Sequence, residues 1–185
     1  MSVNAAAGQN RATLQKIAHR MMLEKGLVPD LPPQALTELD GIHTPATQSD
    51  GSIRDLRNLL WCSIDNDDSR DLDQLTVAEQ LPDGVVRILV AIADVDAIVK
   101  KHSAIDQYAM QNTTSVYTVA ETFPMLPEKL STDLTSLNFE SDRLAVVVEM
   151  DVDADGRLKR SDIYRSVSIT LRQFSEKLLS IVFYL

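Results

Sequence analysis

Cysteine is almost missing from this chain: Cys62 is the only one among 185 residues. A single thiol excludes an internal disulfide framework and a cysteine-based zinc site, and it suits a reducing compartment. It stands in the apolar run "LLWCSI", where it reads as a small buried hydrophobe rather than a nucleophile. Positive charge is also short, with 18 lysines and arginines against 27 aspartates and glutamates and a net charge of -9. That balance excludes a protein held to nucleic acid by bulk positive charge, so a polyanion partner needs a local basic patch, a bound cation or another domain. Long apolar runs are absent too, and no window reaches the ~20 residues of a membrane-crossing helix. The opening "MSVNAAAGQNRATLQK" lacks the basic start and apolar stretch of a secretory signal. No membrane partner is expected, and the default compartment is the cytoplasm. His19, His43 and His102 lie far apart, without metal-ligand spacing.

What the chain does have is 44% hydrophobic residues, enough for one core of ordinary size. Leu14, Ile17, Ala18, Met21 and Met22 recur at the spacing of an amphipathic helix, with Gly26 as its stop and Pro29 beyond. A short helix around Gln34 to Leu39 and a Thr/Pro/Ser/Asp/Gly linker follow, which places a boundary near Ser52. From Leu59 the texture changes to strands: "LLWCSID", "LDQLTVAEQ", a turn at "LPDGVV", and a central strand in "VRILVAIADV". "SAIDQYAMQN" reads as a helix capped by Ser103, "TSVYTV" as a strand and "FPMLPEKLSTDLTSLN" as a loop. "DRLAVVVEMDVDADGRLKRSDIYRSV" reads as a hairpin. Its D-x-D-x-D-G segment imitates a calcium loop, but it has Asp162 where the twelfth position calls for Glu, and it lies between strands rather than helices. A turn with Asp and Gly at positive-φ positions is the reading adopted.

The expected fold class is therefore α+β: a mixed, mostly antiparallel sheet with helices, preceded by a short helical segment. Residues 1–51 form that segment and its linker, 52–167 the main domain, and 168–185 a divergent tail. The tail "SITLRQFSEKLLSIVFYL" ends on an apolar run, which reads as truncation or a shifted frame, against the plainer alternative of a terminal element docked on the core.

The densest chemistry lies in "SIDNDDSRDLDQ", where Asp65, Asp67, Asp68, Asp71 and Asp73 crowd into one short stretch. On an extended segment Asp71 and Asp73 point to one face while Leu72 points to the core. Asp65 folds back beside them if the intervening residues form a loop. Three converging carboxylates repel one another and call for a cation, and a hard ion such as Mg2+ takes oxygen ligands of this kind. The residues alone leave the alternative of a solvated acidic turn open.

Four blocks, in order, carry a resemblance. "SIDNDDSRDLDQLTVAE", "LVAIADVDAIVKKHSAIDQYA", "TSVYTVAETFPMLPEKLSTDLTSLN" and "DRLAVVVEMDVDADGRLKRSDIYRSV" are similar to successive motifs of the ribonuclease II/R (RNB-domain) exoribonucleases, and "PMLPEKLS" is the most specific. The resemblance runs from about Trp61 to Val167 and implies the first part of an RNB domain. It implies hydrolysis of single-stranded RNA from its 3′ end to nucleoside 5′-monophosphates with Mg2+ or Mn2+. Asp65, Asp71 and Asp73 match three of the family's active-site aspartates and are the implied metal ligands. Tyr117 matches an aromatic that stacks on a base near the 3′ end. Arg70 either reaches the scissile phosphate or pairs with a neighbouring aspartate.

The departure is Gln74, which stands where the family pattern has its fourth aspartate. A neutral amide can coordinate weakly or hold a water, but it supplies no charge to a second cation. The flanking OB folds and the later half of the RNB domain are not recognised in this sequence, so an incomplete enzyme chain is expected, binding RNA weakly by itself. DNA is not an expected partner. Two other readings stay open: an inactive remnant that binds RNA or protein, and a small acidic module holding Ca2+.

Overall fold

The computed structural model describes residues 3–47, 51–66, 69–169 and 172–175. Its contacts divide the chain into two interleaved units: Met1–His43 with Val99–Glu128, and Thr44–Ile98 with Lys129–Leu185.

The first unit is mainly helical. Helix α1 (Val3–Glu24) begins well before its apolar stripe, because the alanine-rich opening has high helix propensity. It ends where expected: Gly26 has φ 77°, and Leu27 N–H reaches back to the Met22 carbonyl at 3.0 Å while Gly26 N–H meets that of Leu23 at 3.0 Å. This is the left-handed glycine stop that closes many helices. The stripe itself is only partly covered, with Met22 buried but Leu14, Ile17 and Met21 each more than 40% exposed. Helix α2 (Pro33–Asp40) and helix α3 (Ala104–Asn112) meet through Glu38, whose carboxylate accepts the Ile105 N–H at 3.1 Å. Ser103 caps α3 as the sequence suggested, taking the Asp106 N–H at 3.3 Å, while Asp106 accepts the His102 N–H at 2.7 Å. Buried Asn112 exchanges two hydrogen bonds with the Val28 backbone, at 2.8 and 3.0 Å.

The second unit holds a seven-stranded sheet. Its strands are β1 (Arg54–Asp55), β2 (Cys62–Asp65), β3 (Gln74–Gln80) and β4 (Val86–Ala93). The first unit contributes a separate pair, β5 (Val116–Tyr117) and β6 (Thr122–Phe123). The large sheet continues with β7 (Asp142–Val152), β8 (Leu158–Ile169) and β9 (Arg172–Ser175), in the order β1-β8-β7-β4-β3-β2-β9. The four inner pairings are antiparallel and the two edge pairings, β1 with β8 and β2 with β9, are parallel. The expected mixed, mostly antiparallel α+β fold is what the chain adopts.

One sheet face carries the core. Leu75, Ala91, Val147 and Tyr164 lie side by side across four strands, and Trp61, Leu72 and Leu137 pack over them. The same face turns charged toward one end. There Arg87 pairs with Asp151 at 2.8 Å, Tyr164 donates to Glu149 at 2.7 Å, and the Arg54 guanidinium lies 3.5 Å above the Tyr164 ring. Burial first, and the Glu149 hydrogen bond second, push the Tyr164 phenol up to about 12.

Several local expectations are refined. The strand at "TSVYTV" shrinks to Val116–Tyr117, and the "FPMLPEKLSTDLTSLN" loop contains a six-residue π-helical turn, Lys129–Leu134. In the β7–β8 hairpin only Gly156 takes positive φ, at 78°. Asp153 closes that turn instead, accepting the N–H groups of Asp155 and Arg157 at 3.0 and 2.9 Å. The Asp-Gly pair with positive φ is Asp83-Gly84, before β4. In the tail, Arg172–Ser175 lie in register with β2; residues 176–185 fall outside the described part.

Candidate active site

The acidic stretch is suspended between two strands. Its leading end is β2, fixed by fully buried Trp61, whose indole N–H donates to the Leu56 carbonyl at 2.9 Å, and by buried Ser63. The Ser63 hydroxyl hydrogen-bonds to the Asp65 carboxylate and so orients the last side chain of the strand. Beyond the strand, Ser69 N–H reaches the Asn66 carbonyl at 3.0 Å. Asp67 and Asp68 lie outside the described residues.

The trailing end is anchored through its backbone. Leu72 is 4% exposed and enters the core, as alternation required. Its N–H donates to the Ser136 hydroxyl at 3.0 Å, and its carbonyl accepts the Leu137 N–H at 2.8 Å. One residue on, the Asp73 carbonyl accepts the Ala93 N–H at 2.9 Å, which joins the segment to the end of β4. Asp71 and Asp73 are therefore carried on either side of a residue clamped at both of its peptide groups.

The electrostatics agree with convergence. Asp73 retains solvent access, yet its carboxyl is held above the ordinary value of 3.8. Loss of hydration is the largest cause, followed by the negative charge of Asp71 and then that of Asp65. Three carboxylates thus share one field. They do not share one coordination sphere in this arrangement: among the described residues, no group of three or more His, Cys, Asp and Glu side chains is set to hold a metal ion. The two statements are compatible, because charges repel over several ångströms more than the 2.0–2.6 Å of metal–oxygen bonds. The donor set itself, oxygen-only and mutually repelling, fits a hard divalent ion.

The remaining sequence candidates divide between the units. Gln74 opens β3, is exposed, and pairs in register with Ile92. Arg70 is exposed in the same segment. Tyr117 belongs to the first unit, on β5, and is 69% exposed, as a stacking platform must be. Sequence reasoning missed Ser136. Its burial is complete and its partner lies far away along the chain, so "LTSLN" alone gave no sign of its role.

A family model described as the RNB domain matches residues 53–178. The chain belongs to the RNB-domain family. It is 40% identical over 139 residues to ribonuclease R of Thermotoga maritima, a match covering 75% of this chain and 20% of the relative. Against Escherichia coli ribonuclease R the identity is 43% over 113 residues, covering 61% and 14%. The solved structure of Mycoplasma genitalium RNase R in complex with double-stranded RNA superposes with a TM-score of 0.80 at 30% identity, over 88% of this chain and 29% of that one. This RNB-family chain thus spans no more than about a third of each of these relatives.

Proposed function

We propose that this chain carries the metal-binding part of a 3′-to-5′ exoribonuclease site that hydrolyses single-stranded RNA to nucleoside 5′-monophosphates. The observation that carries the reading is the placement of Asp71 and Asp73 on either side of the clamped Leu72, where burial first, and then the negative charges of Asp71 and Asp65, hold the Asp73 carboxyl above its ordinary value. Kinship with ribonuclease R supplies the reaction class.

Asp65, Asp71 and Asp73 would hold Mg2+ or Mn2+. When bound, such a pair of ions supplies an activated water for in-line attack at phosphorus and charge stabilisation at the leaving 3′ oxygen. The protein's own part is positioning. Ser63 aims Asp65, and the peptide clamps around Leu72 aim Asp71 and Asp73. Gln74 holds a water or phosphate oxygen through its amide, and Arg70 supplies positive charge to the phosphate. Tyr117 offers its ring to a base without selecting sequence. With a net charge of -9, the chain by itself binds RNA weakly.

The test is a 5′-labelled single strand incubated with the full chain and Mn2+. Progressive shortening from the 3′ end, release of nucleoside 5′-monophosphates and loss of both in Asp73→Asn support the proposal. RNA retention without cleavage transfers the reading to a binding remnant. Ca2+-dependent stabilisation with indifference to RNA transfers it to an acidic ion-binding module.

A further inference from the structure

Ser136 is fully buried, and its hydroxyl accepts the Leu72 N–H at 3.0 Å across a sequence separation of 64 residues. Leu72 is the residue between Asp71 and Asp73, so this bond acts on the peptide that joins Asp71 to it. The serine's own proton has two acceptors within reach, the Asn138 amide oxygen and, farther off at 3.5 Å, the Arg70 carbonyl. The serine oxygen lies 3.1 Å from Asn138 Oδ1, and Asn138 Nδ2 donates to the Thr132 carbonyl at 3.2 Å. A relay therefore runs from Leu72 N–H through the Ser136 hydroxyl and the Asn138 amide to the Lys129–Leu134 turn. The Ser136 carbonyl is held in turn by Arg143 Nε at 3.0 Å. Burial of Arg143 lowers its pKa, and Asp133 and Asp142 partly offset that by raising it.

The geometry points to Ser136 as a positioning residue for the metal-binding aspartates, an inference that rests on the reading of Asp65, Asp71 and Asp73 given above. The Leu72 carbonyl and the Asp73 carbonyl have anchors of their own, in Leu137 and Ala93. Removing the Ser136 hydroxyl leaves those two in place and releases the peptide between Asp71 and Leu72, together with the longer contact to the Arg70 carbonyl. The separation of Asp71 from Asp73 then becomes variable while the sheet stays assembled. A buried amide left without an acceptor also favours any backbone rotation that lets it find water.

The experiment is Mn2+ titration of the full chain by calorimetry, combined with amide hydrogen exchange. In Ser136→Ala the affinity is expected to fall about tenfold or more, the scale at which groups that orient metal ligands act. The Leu72 amide exchanges faster, those of Leu137 and Ala93 keep their protection, and the melting temperature moves little. Ser136→Thr, which keeps the hydroxyl, restores most of the affinity. Should Ser136→Ala fail to fold, Asn138→Ala replaces it: this leaves the Leu72 bond but removes the nearer of the serine's two acceptors, so that only the longer contact to the Arg70 carbonyl holds its proton, and an intermediate loss is expected. Unchanged Mn2+ affinity alongside faster Leu72 exchange, or unchanged affinity in Asn138→Ala where that variant stands in, overturns the positioning role and leaves the metal reading standing. An unaltered chain that binds no Mn2+ overturns the metal reading, and this inference with it.

Discussion

Arg165 Nε lies 2.9 Å from a carboxylate oxygen of Asp94, a side chain only 2% exposed, and the same guanidinium reaches exposed Asp96 at 2.8 Å. Asp94 follows the end of β4, where the Ala93 N–H holds the Asp73 carbonyl, and its own N–H donates to Leu144 at 3.1 Å. The ion pair thus braces the strand end on which the acidic segment hangs. Arg165→Met leaves a buried carboxylate without its cation. Arg165 is itself 40% exposed, so the cost expected is about 2–3 kcal/mol rather than the full penalty of a wholly buried pair. Urea denaturation measures it, and Asp94→Asn added to Arg165→Met should recover part of the loss. A change too small to resolve would mean that water reaches Asp94 once the arginine is gone.

Trp61 is the chain's one tryptophan and is fully buried in the core over Leu75 and Val147. Its fluorescence is therefore a direct reporter of core unfolding. Trp61→Phe removes the shorter of the two hydrogen bonds to the Leu56 carbonyl, which keeps the Leu59 N–H at 3.2 Å, and leaves a small void, for a loss of about 1–3 kcal/mol. The Leu56 carbonyl belongs to the segment between β1 and β2, so β2 should loosen first, visible as faster exchange of the β2 amides than of those in β7. Equal exchange in both strands would show that the indole fills space without fixing the segment.

Why some of this was legible and some was not follows from range. The β7–β8 hairpin could be read because its pattern and its Asp-Gly turn are contiguous, and the Ser103 cap because it acts within one helical turn. The acidic stretch was legible as a cluster because five aspartates are close in sequence, and alternation alone sent Leu72 to the core. Beyond that, local reasoning ran out. The strand at "TSVYTV" is short because the Thr118 hydroxyl accepts the N–H groups of Ala120 and Glu121 and turns the chain directly after Tyr117. Such competition from a threonine side chain leaves no mark on hydrophobic periodicity. Neither the parallel edge strands nor the Ser136 clamp could be inferred, since each joins segments far apart in the chain.

Because the Asp73 carboxyl is held above 3.8, the folded chain binds that proton more tightly than the unfolded chain does. Ionised Asp73 therefore opposes folding at neutral pH, and the opposition fades as pH falls through the folded-state pKa toward 3.8. Asp55, Asp151 and Asp162 act in the other direction. Arginine partners lower them, Asp55 to about 2, so their contributions are present above the ordinary carboxylate value and are lost as pH falls through the folded ones. Asp73→Asn should accordingly raise the melting temperature of the metal-free chain at neutral pH, with an advantage that shrinks on acidification. Mg2+ should narrow the gap from the other side by stabilising the unaltered chain. A variant that melts lower than the parent at neutral pH would mean that the Asp73 carboxylate is stabilised by a partner it loses, and the picture of unrelieved repulsion would be wrong.

The proposed site can be probed at Gln74, where the resemblance leads one to expect a fourth aspartate. The glutamine opens β3 beside Asp73, and a carboxylate there would add a negative charge to a field that Asp65 and Asp71 already supply. Gln74→Asp should therefore tighten Mn2+ binding by roughly tenfold, the scale of one more charge near a partly solvated cation. It should also lower the stability of the metal-free chain, most at neutral pH, and speed cleavage of single-stranded RNA if charge limits the second ion. Calorimetry and melting curves with and without Mn2+ separate these effects. Unchanged affinity would place the side chain away from the ion, so that the glutamine is an ordinary strand residue. Weaker affinity would make the amide itself the better partner, through its oxygen or a held water, and the departure from the family pattern would then be an adaptation of the site rather than a loss.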